Sequence, residues 1–196
     1  MGFFDRLFGR KRPADPAPAK PAPASEPAPE PMMNFFDAYG RPVLITREQW
    51  RTQILPDNLR EVWQQPDALA HLITQALQDG FFAEALPAAE HLPKIDPNPE
   101  RAACLLGIAY LKLERLAEAE QALTDYMARH GETGSVLTNL AKVYSARQAP
   151  EPQVEAALWR GLTLDPNQDN GLPWFVSLHE ERAGPSAATE ALHRIA

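Results

Sequence analysis

The chain has 196 residues, a formal charge of −7, one cysteine, and twenty prolines against ten glycines. Its 44% hydrophobic content is ordinary for a soluble fold, and the length suits one globular domain of about 100–200 residues with an appendage. The lack of a glycine period excludes a collagen-like chain, no run approaches the roughly 18 apolar residues a membrane span needs, and the opening lacks the apolar segment expected of a secretory signal.

Proline and charge are both unevenly placed. Eight prolines fall between Pro13 and Pro31. Up to Pro31 there are five basic and four acidic residues, net +1; from Met32 onward there are fourteen against twenty-two, net −8. A phosphate-binding surface needs clustered Lys and Arg, so nucleic acid is not an expected partner of the acidic body. Cys104 cannot form an internal disulfide, and its neighbours Ala103, Leu105 and Leu106 mark it as a buried thiol in a reducing cytoplasm.

Residues 1–12 place Phe3, Phe4, Leu7 and Phe8 at helical spacing and follow them with Arg10, Lys11 and Arg12. Such a basic amphipathic segment can lie on an anionic membrane surface, each cation adding roughly 1 kcal/mol. In water a helix this short is marginal, so a tail ordered only by contact is the competing expectation. Arg6 stands where a myristoylation motif needs Ser or Thr. The segment resembles the openings of several bacterial proteins that work at the inner-membrane surface.

Residues 13–33 read as a disordered Pro/Ala-rich linker whose polyproline stretch reaches roughly 60 Å at about 3.1 Å per residue. Pro13-x-x-Pro16 and Pro18-x-x-Pro21 fit the spacing of proline-groove ligands, although the intervening alanines favour a spacer. Met32-Met33 offers a second translation start. Residues 34–65 form an N-terminal cap: a short hairpin or loop around Asp37-Ala38-Tyr39-Gly40, then two short helices. The first opens at the capping box Thr46-Arg47-Glu48-Gln49 and carries Trp50 and Ile54 until Pro56; the second opens at Asn58-x-x-Glu61 with Leu59, Val62 and Trp63.

Beyond this point the chain repeats itself. Ala85 and Ala119 lie 34 residues apart and hold the same place in two helix-turn-helix units. The first unit, 66–99, has Leu69, Leu72 and Ala76 on its first helix, a turn at Asp79-Gly80, then Ala85, Ala89 and Leu92. The second, 100–133, has Ala103, Leu106, Gly107 and Tyr110, then Ala119, Leu123 and Tyr126, with Gly131 near its end. The third, 134–168, has Leu137, Leu140, Ala141 and Tyr144. An extra residue in its Gln148–Pro152 turn shifts the second helix to Val154, Leu158 and Gly161. A partial fourth, 169–196, has Leu172, Phe175, Val176, Ala188, Leu192 and Ile195. Each pair has an apolar stripe that stacking must cover, and Gly107, Ala119 and Ala141 allow close helix approach. The pattern resembles the tetratricopeptide repeat (TPR), with Glu114 where that family commonly has glycine and Gly131 where it has proline. The resemblance implies an all-α fold, a right-handed α-solenoid of helix-turn-helix repeats behind a disordered N-terminal tail.

The residues do not point to an enzyme, a metal or a cofactor. His179-Glu180 would begin a zinc motif, but its second histidine position is Ala183. Asp165–Asp169 resembles the start of a calcium loop, yet Asn170 stands at the glycine place and Val176 at the glutamate place. His71, His91, His130, His179 and His193 are dispersed, and neither a phosphate loop nor a nucleophile elbow is present. A Cys104 nucleophile would need access and an activating base.

In the resembled family the first helix of each unit lines a concave surface that holds partner peptides. Carried over by register, the groove would present His71, Thr74 and Gln78; Arg101, Cys104, Ile108 and Lys112; Thr138, Asn139 and Lys142; and Trp174 and Ser177. Arg101, Lys112 and Lys142 would line it with positive charge and favour an acidic or C-terminal carboxylate ligand, with Ile108 or Trp174 as apolar anchors. The two-carboxylate clamp of chaperone-binding members is not expected, since Ala70, Thr74 and Leu105 stand at its positions. Leu192 and Ile195 close the chain without a polar capping helix, which predicts a self-associating end or a longer array. The expected function is a cytoplasmic, non-catalytic protein-interaction scaffold. A membrane-surface tether acting through residues 1–12 is the alternative, and an RNA-binding helical repeat is a third reading disfavoured by the acidic body.

Overall fold

The computed structural model describes residues 32–36, 40–166 and 171–184, together with 186, 189, 190 and 193. The amphipathic segment 1–12, the linker to Pro31, and Ala188, Leu192 and Ile195 lie outside the described residues.

Strands β1 (Met32–Phe36) and β2 (Pro42–Thr46) pair antiparallel, with Met32 opposite Thr46 and Phe36 opposite Pro42. The capping box then forms as its residues require: Gln49 N–H donates to Thr46 Oγ1 at 3.0 Å, and Thr46 N–H donates to Gln49 Oε1 at 3.1 Å. The break expected at Pro56 is absent. Helix α1 (Arg47–Gln49) runs through a π-helical turn (Trp50–Ile54) directly into α2 (Leu55–Glu61), and Asn58 lies inside that last segment instead of starting a new one. Proline lacks an N–H and crowds the preceding turn; the wider π turn just before Pro56 relieves both demands without ending the rod. Trp50, Leu55 and Leu59 of this rod are buried in the first core.

Six helices follow as three antiparallel pairs: α3 (Pro66–Gln78) with α4 (Phe82–His91), α5 (Pro99–Lys112) with α6 (Leu116–His130), and α7 (Gly134–Ala146) with α8 (Glu151–Leu164). Helix α9 (Gly171–Ala183) packs on α8. Pro66 and Pro99 occupy first-turn positions where an N–H would be unpaired anyway.

The turns inside the pairs repeat in detail. Gly80, Glu114 and Gln148, spaced by 34 residues, all have positive φ, at 81°, 60° and 56°. In each turn the N–H of that residue bonds three residues back, and the next N–H bonds five back: Phe81 to Ala76 at 2.8 Å, Arg115 to Tyr110 at 2.9 Å, Ala149 to Tyr144 at 2.9 Å. This left-handed helix stop usually takes glycine. Glu114 therefore stands at a glycine place in conformation as well as in alignment. The inserted residue in the third turn moves the start of the second helix from Leu116 to Glu151, 35 positions on.

Packing follows the stripes. Leu69, Ile73, Ala76, Phe81, Ala85 and Ala89 fill the first core, which also takes Ala102 and Ala109 from α5. The other side of α5 gives Ala103 to the second core, with Ala119, Leu123, Tyr126, Val136 and Leu140. The third core holds Ala141, Val154, Leu158, Leu162 and Phe175. The closest approach is between α7 and α8, where a Cβ on Gly161 would lie 3.1 Å from the Gly134 carbonyl oxygen and from Thr138 Oγ1.

Successive first helices, α3, α5 and α7, touch one another, whereas successive second helices, α4, α6 and α8, barely do. The first helices thus form the closely spaced inner face of the stack and the second helices the splayed outer face. Outer carboxylates are bridged by arginines of the neighbouring unit, Arg115 to Glu90 and Arg147 to Glu120; exposed pairs of this kind contribute little each.

Candidate functional site

The inner face separates the expected groove residues into two groups. Arg101 is not available to a ligand. Its guanidinium grips the Asp96 carboxylate through two bonds, Nε to Oδ2 at 2.9 Å and Nη2 to Oδ1 at 2.8 Å, and reaches Asp67 at 2.7 Å. Asp96 has no exposed side-chain surface and also accepts from Asn98 N–H at 2.8 Å. Burial alone would raise its carboxyl pKa; the Arg101 and Asn98 bonds outweigh burial and hold it below the usual carboxylate range. Arg101 therefore clamps the loop between the first two units.

Thr138 is also turned away from the groove. It is 3% exposed and faces Gly161 of α8, because the close α7–α8 crossing draws this side of α7 into the pair. Trp174 and Ile108 are half-buried against the third and first cores respectively, so neither is a freely presented anchor. Thr74 donates to the Ala70 carbonyl and Ser177 to Glu181.

The remaining residues meet at the α5–α7 seam. Asn139 is 8% exposed; its Oδ1 accepts from Lys142 Nζ at 3.4 Å, and its side chain also bonds Cys104. Burial pushes the Cys104 thiol up to about 11, with the Asn139 bond and the Lys142 charge pulling weakly the other way. It is an unreactive thiol at neutral pH. Lys142 is half-buried, and desolvation holds its ammonium below the ordinary lysine range. Lys112 acts in the same direction by repulsion, against a smaller opposing pull from Cys104. The Lys112 ammonium stands 5.9 Å from the Phe82 ring centroid. Among the described residues neither lysine takes part in an ion pair.

The outer face carries a feature that the repeat pattern did not indicate, a recess of about 380 Å³ between the Leu92–Lys94 turn, α5 and α6. Its sequence signal was Pro93, which cuts the second helix of the first unit short. No helix of the described residues is long and apolar enough to cross a membrane.

Stacked helix pairs, a recurrent left-handed turn every 34 residues and an inner face made of first helices define a TPR-like helical solenoid. Comparison with known proteins agrees at the level of fold. The chain superposes on a crystal structure of MamA with a TM-score of 0.53 at 15% identity, covering 72% of this chain and 82% of that one. It also matches MamA residues 41 to the end from Desulfovibrio magneticus RS-1, with a TM-score of 0.50 at 17% identity over 72% and 79% of the two chains. The MamA RS-1 ArsTM double mutant gives 0.51 at 17% identity over 73% and 80%. No family model and no curated protein matches the chain.

Proposed function

We propose that the protein is a non-catalytic interaction scaffold that holds an acidic segment of a partner protein on its inner face, at the seam of α5 and α7. The observation that carries this reading is the pairing of Lys112 and Lys142: two cations without counter-ions, one half-buried, in a body of net charge −8. A carboxylate placed between them relieves their mutual repulsion and gains charge-assisted hydrogen bonds. Asn139 adds a fixed polar group beside them, and the preformed solenoid spares the partner the cost of ordering a receptor.

The test is recovery of partners by the tagged chain and by a Lys112→Glu/Lys142→Glu variant, identified by mass spectrometry. Arg101 is left intact because Asp96 depends on it. Loss of the acidic partner with an unchanged circular dichroism spectrum supports the seam; equal recovery by both proteins removes it. The same reading places the protein in the cytoplasm with Phe3, Phe4, Leu7, Phe8, Arg10, Lys11 and Arg12 at the inner leaflet, supported by the composition of that segment. Unchanged membrane fractionation after deletion of residues 1–31 would remove the tether.

A further inference from the structure

The recess on the outer face has a definite origin. Helix α4 runs ten residues, whereas α6 runs fifteen and α8 fourteen. Pro93 cannot donate a helical hydrogen bond, and the chain leaves α4 through the 3-10 turn Leu92–Lys94. The four or five residues by which α4 falls short correspond to about 6–7 Å of helix at 1.5 Å per residue. The surface bordering that space stays uncovered. Its floor is Ala103, Leu106 and Tyr110 of α5, its far wall Ala122 of α6, and Pro93 and Pro99 close it. The resulting volume of about 380 Å³ falls within the range of about 300–1,000 Å³ typical of ligand sites.

The rim is negative. Glu118 and Asp125 stand on the α6 side, and Glu90 accepts the Tyr110 hydroxyl proton at 2.9 Å. Against these three carboxylates are two guanidiniums. Arg115 is shared between Glu90 and Glu118, and Arg129, 71% exposed, donates to the Asp125 backbone oxygen at 3.0 Å. His130 stacks on Tyr126 at the end of the recess.

We infer that this trough is a docking site for a short basic amphipathic helix of a partner protein. An apolar side chain of that helix fills the floor beside Ala103 and Tyr110, and a Lys or Arg one turn away meets Glu118 or Asp125. The short α4 leaves space for a turn of helix, the floor requires an apolar anchor, and the rim selects positive charge. The site is on the opposite face from Lys112 and Lys142, so it stands or falls independently of the proposed inner groove.

The test uses the full chain and two fluorescein-labelled synthetic peptides of about 14 residues, long enough to hold helix. They share one leucine and phenylalanine face; one has lysine and arginine on the other face, the second glutamate. By fluorescence anisotropy the basic peptide is expected to bind at least about tenfold more tightly, and increasingly weakly as salt rises. Ala122→Trp, at a half-buried wall position, should abolish binding. Should that variant lose its circular dichroism spectrum, Gln121→Trp at the exposed rim serves in its place. Glu118→Gln/Asp125→Asn should weaken binding about tenfold and flatten its salt dependence. Equal binding of the two peptides, undiminished binding by the tryptophan variant, or loss only in Lys112→Glu/Lys142→Glu would overturn the assignment. So would a concentration-dependent dimer that the tryptophan variant abolishes without any peptide effect, which would give the trough to a second copy.

Discussion

Replacing Glu114 and Gln148 by glycine should stabilise the protein. Both side chains are exposed, neither has an ion pair among the described residues, and their φ values of 60° and 56° fall in the left-handed region. That conformation costs an L-residue about 1–2 kcal/mol relative to glycine. The greater freedom of glycine in the unfolded chain takes back about 0.5–1 kcal/mol. The net gain is about 0.5–1 kcal/mol per site. For a domain of this size 1 kcal/mol moves the melting temperature by about 2–4 °C, so the double variant should melt roughly 2–8 °C higher. Gly80→Ala supplies the reverse experiment. It forces a side chain into φ 81° and brings its Cβ to 3.1 Å from the Arg47 guanidinium, so it should lower the melting temperature. Thermal unfolding followed by far-UV circular dichroism, with urea unfolding alongside, measures all three. If both glycine variants melt lower than the parent while Gly80→Ala melts unchanged, the three positions do not share the helix stop described above.

Two further outcomes follow from the inner face. Arg101→Ala leaves the Asp96 carboxylate buried without its main partner and should cost about 2–3 kcal/mol at pH 7, read from urea midpoints. Because Asp96 is held below its unfolded pKa in the native protein, its contribution is complete above about pH 5 and is lost as pH falls through the native value. The stability gap between parent and variant should therefore narrow below about pH 4 and stay level from there to neutrality; a gap that widens in acid contradicts the clamp. Cys104, with its pKa near 11, should react with a maleimide at pH 7 far more slowly than glutathione does. Alkylation at the small-thiol rate would show that the α5–α7 seam opens readily.

Much of the architecture was legible because helical repeats are written in local periodicity. The small residues Ala85, Ala119 and Gly161 mark helix crossings, and all three are buried. The capping box at Thr46 and the helix starts at Pro66 and Pro99 depend on neighbouring residues only. Other features depended on which surfaces met. Pro56 has the residue type of a helix stop, yet one π turn carries the rod past it so that Trp50, Leu55 and Leu59 can share a core. Phe81 reads as a turn residue and is 2% exposed because the first turn folds back over that core.

The candidate site shows the same division. Register on α5 and α7 brought Cys104, Lys112, Asn139 and Lys142 to one seam, since side chains three or four positions apart share a helical face. Register alone cannot say which of those side chains remain free. Arg101 is taken by Asp96, five residues earlier in the chain but beyond the helix start, and Thr138 is taken by the close approach of α8 at Gly161. The sequence by itself determined the period, the helix pairs and the negative charge of the body, all of which are sums over near neighbours. Only the tertiary structure decided which cations lack a counter-ion and where a short helix leaves a neighbouring surface uncovered, because both depend on groups that chain proximity does not bring together.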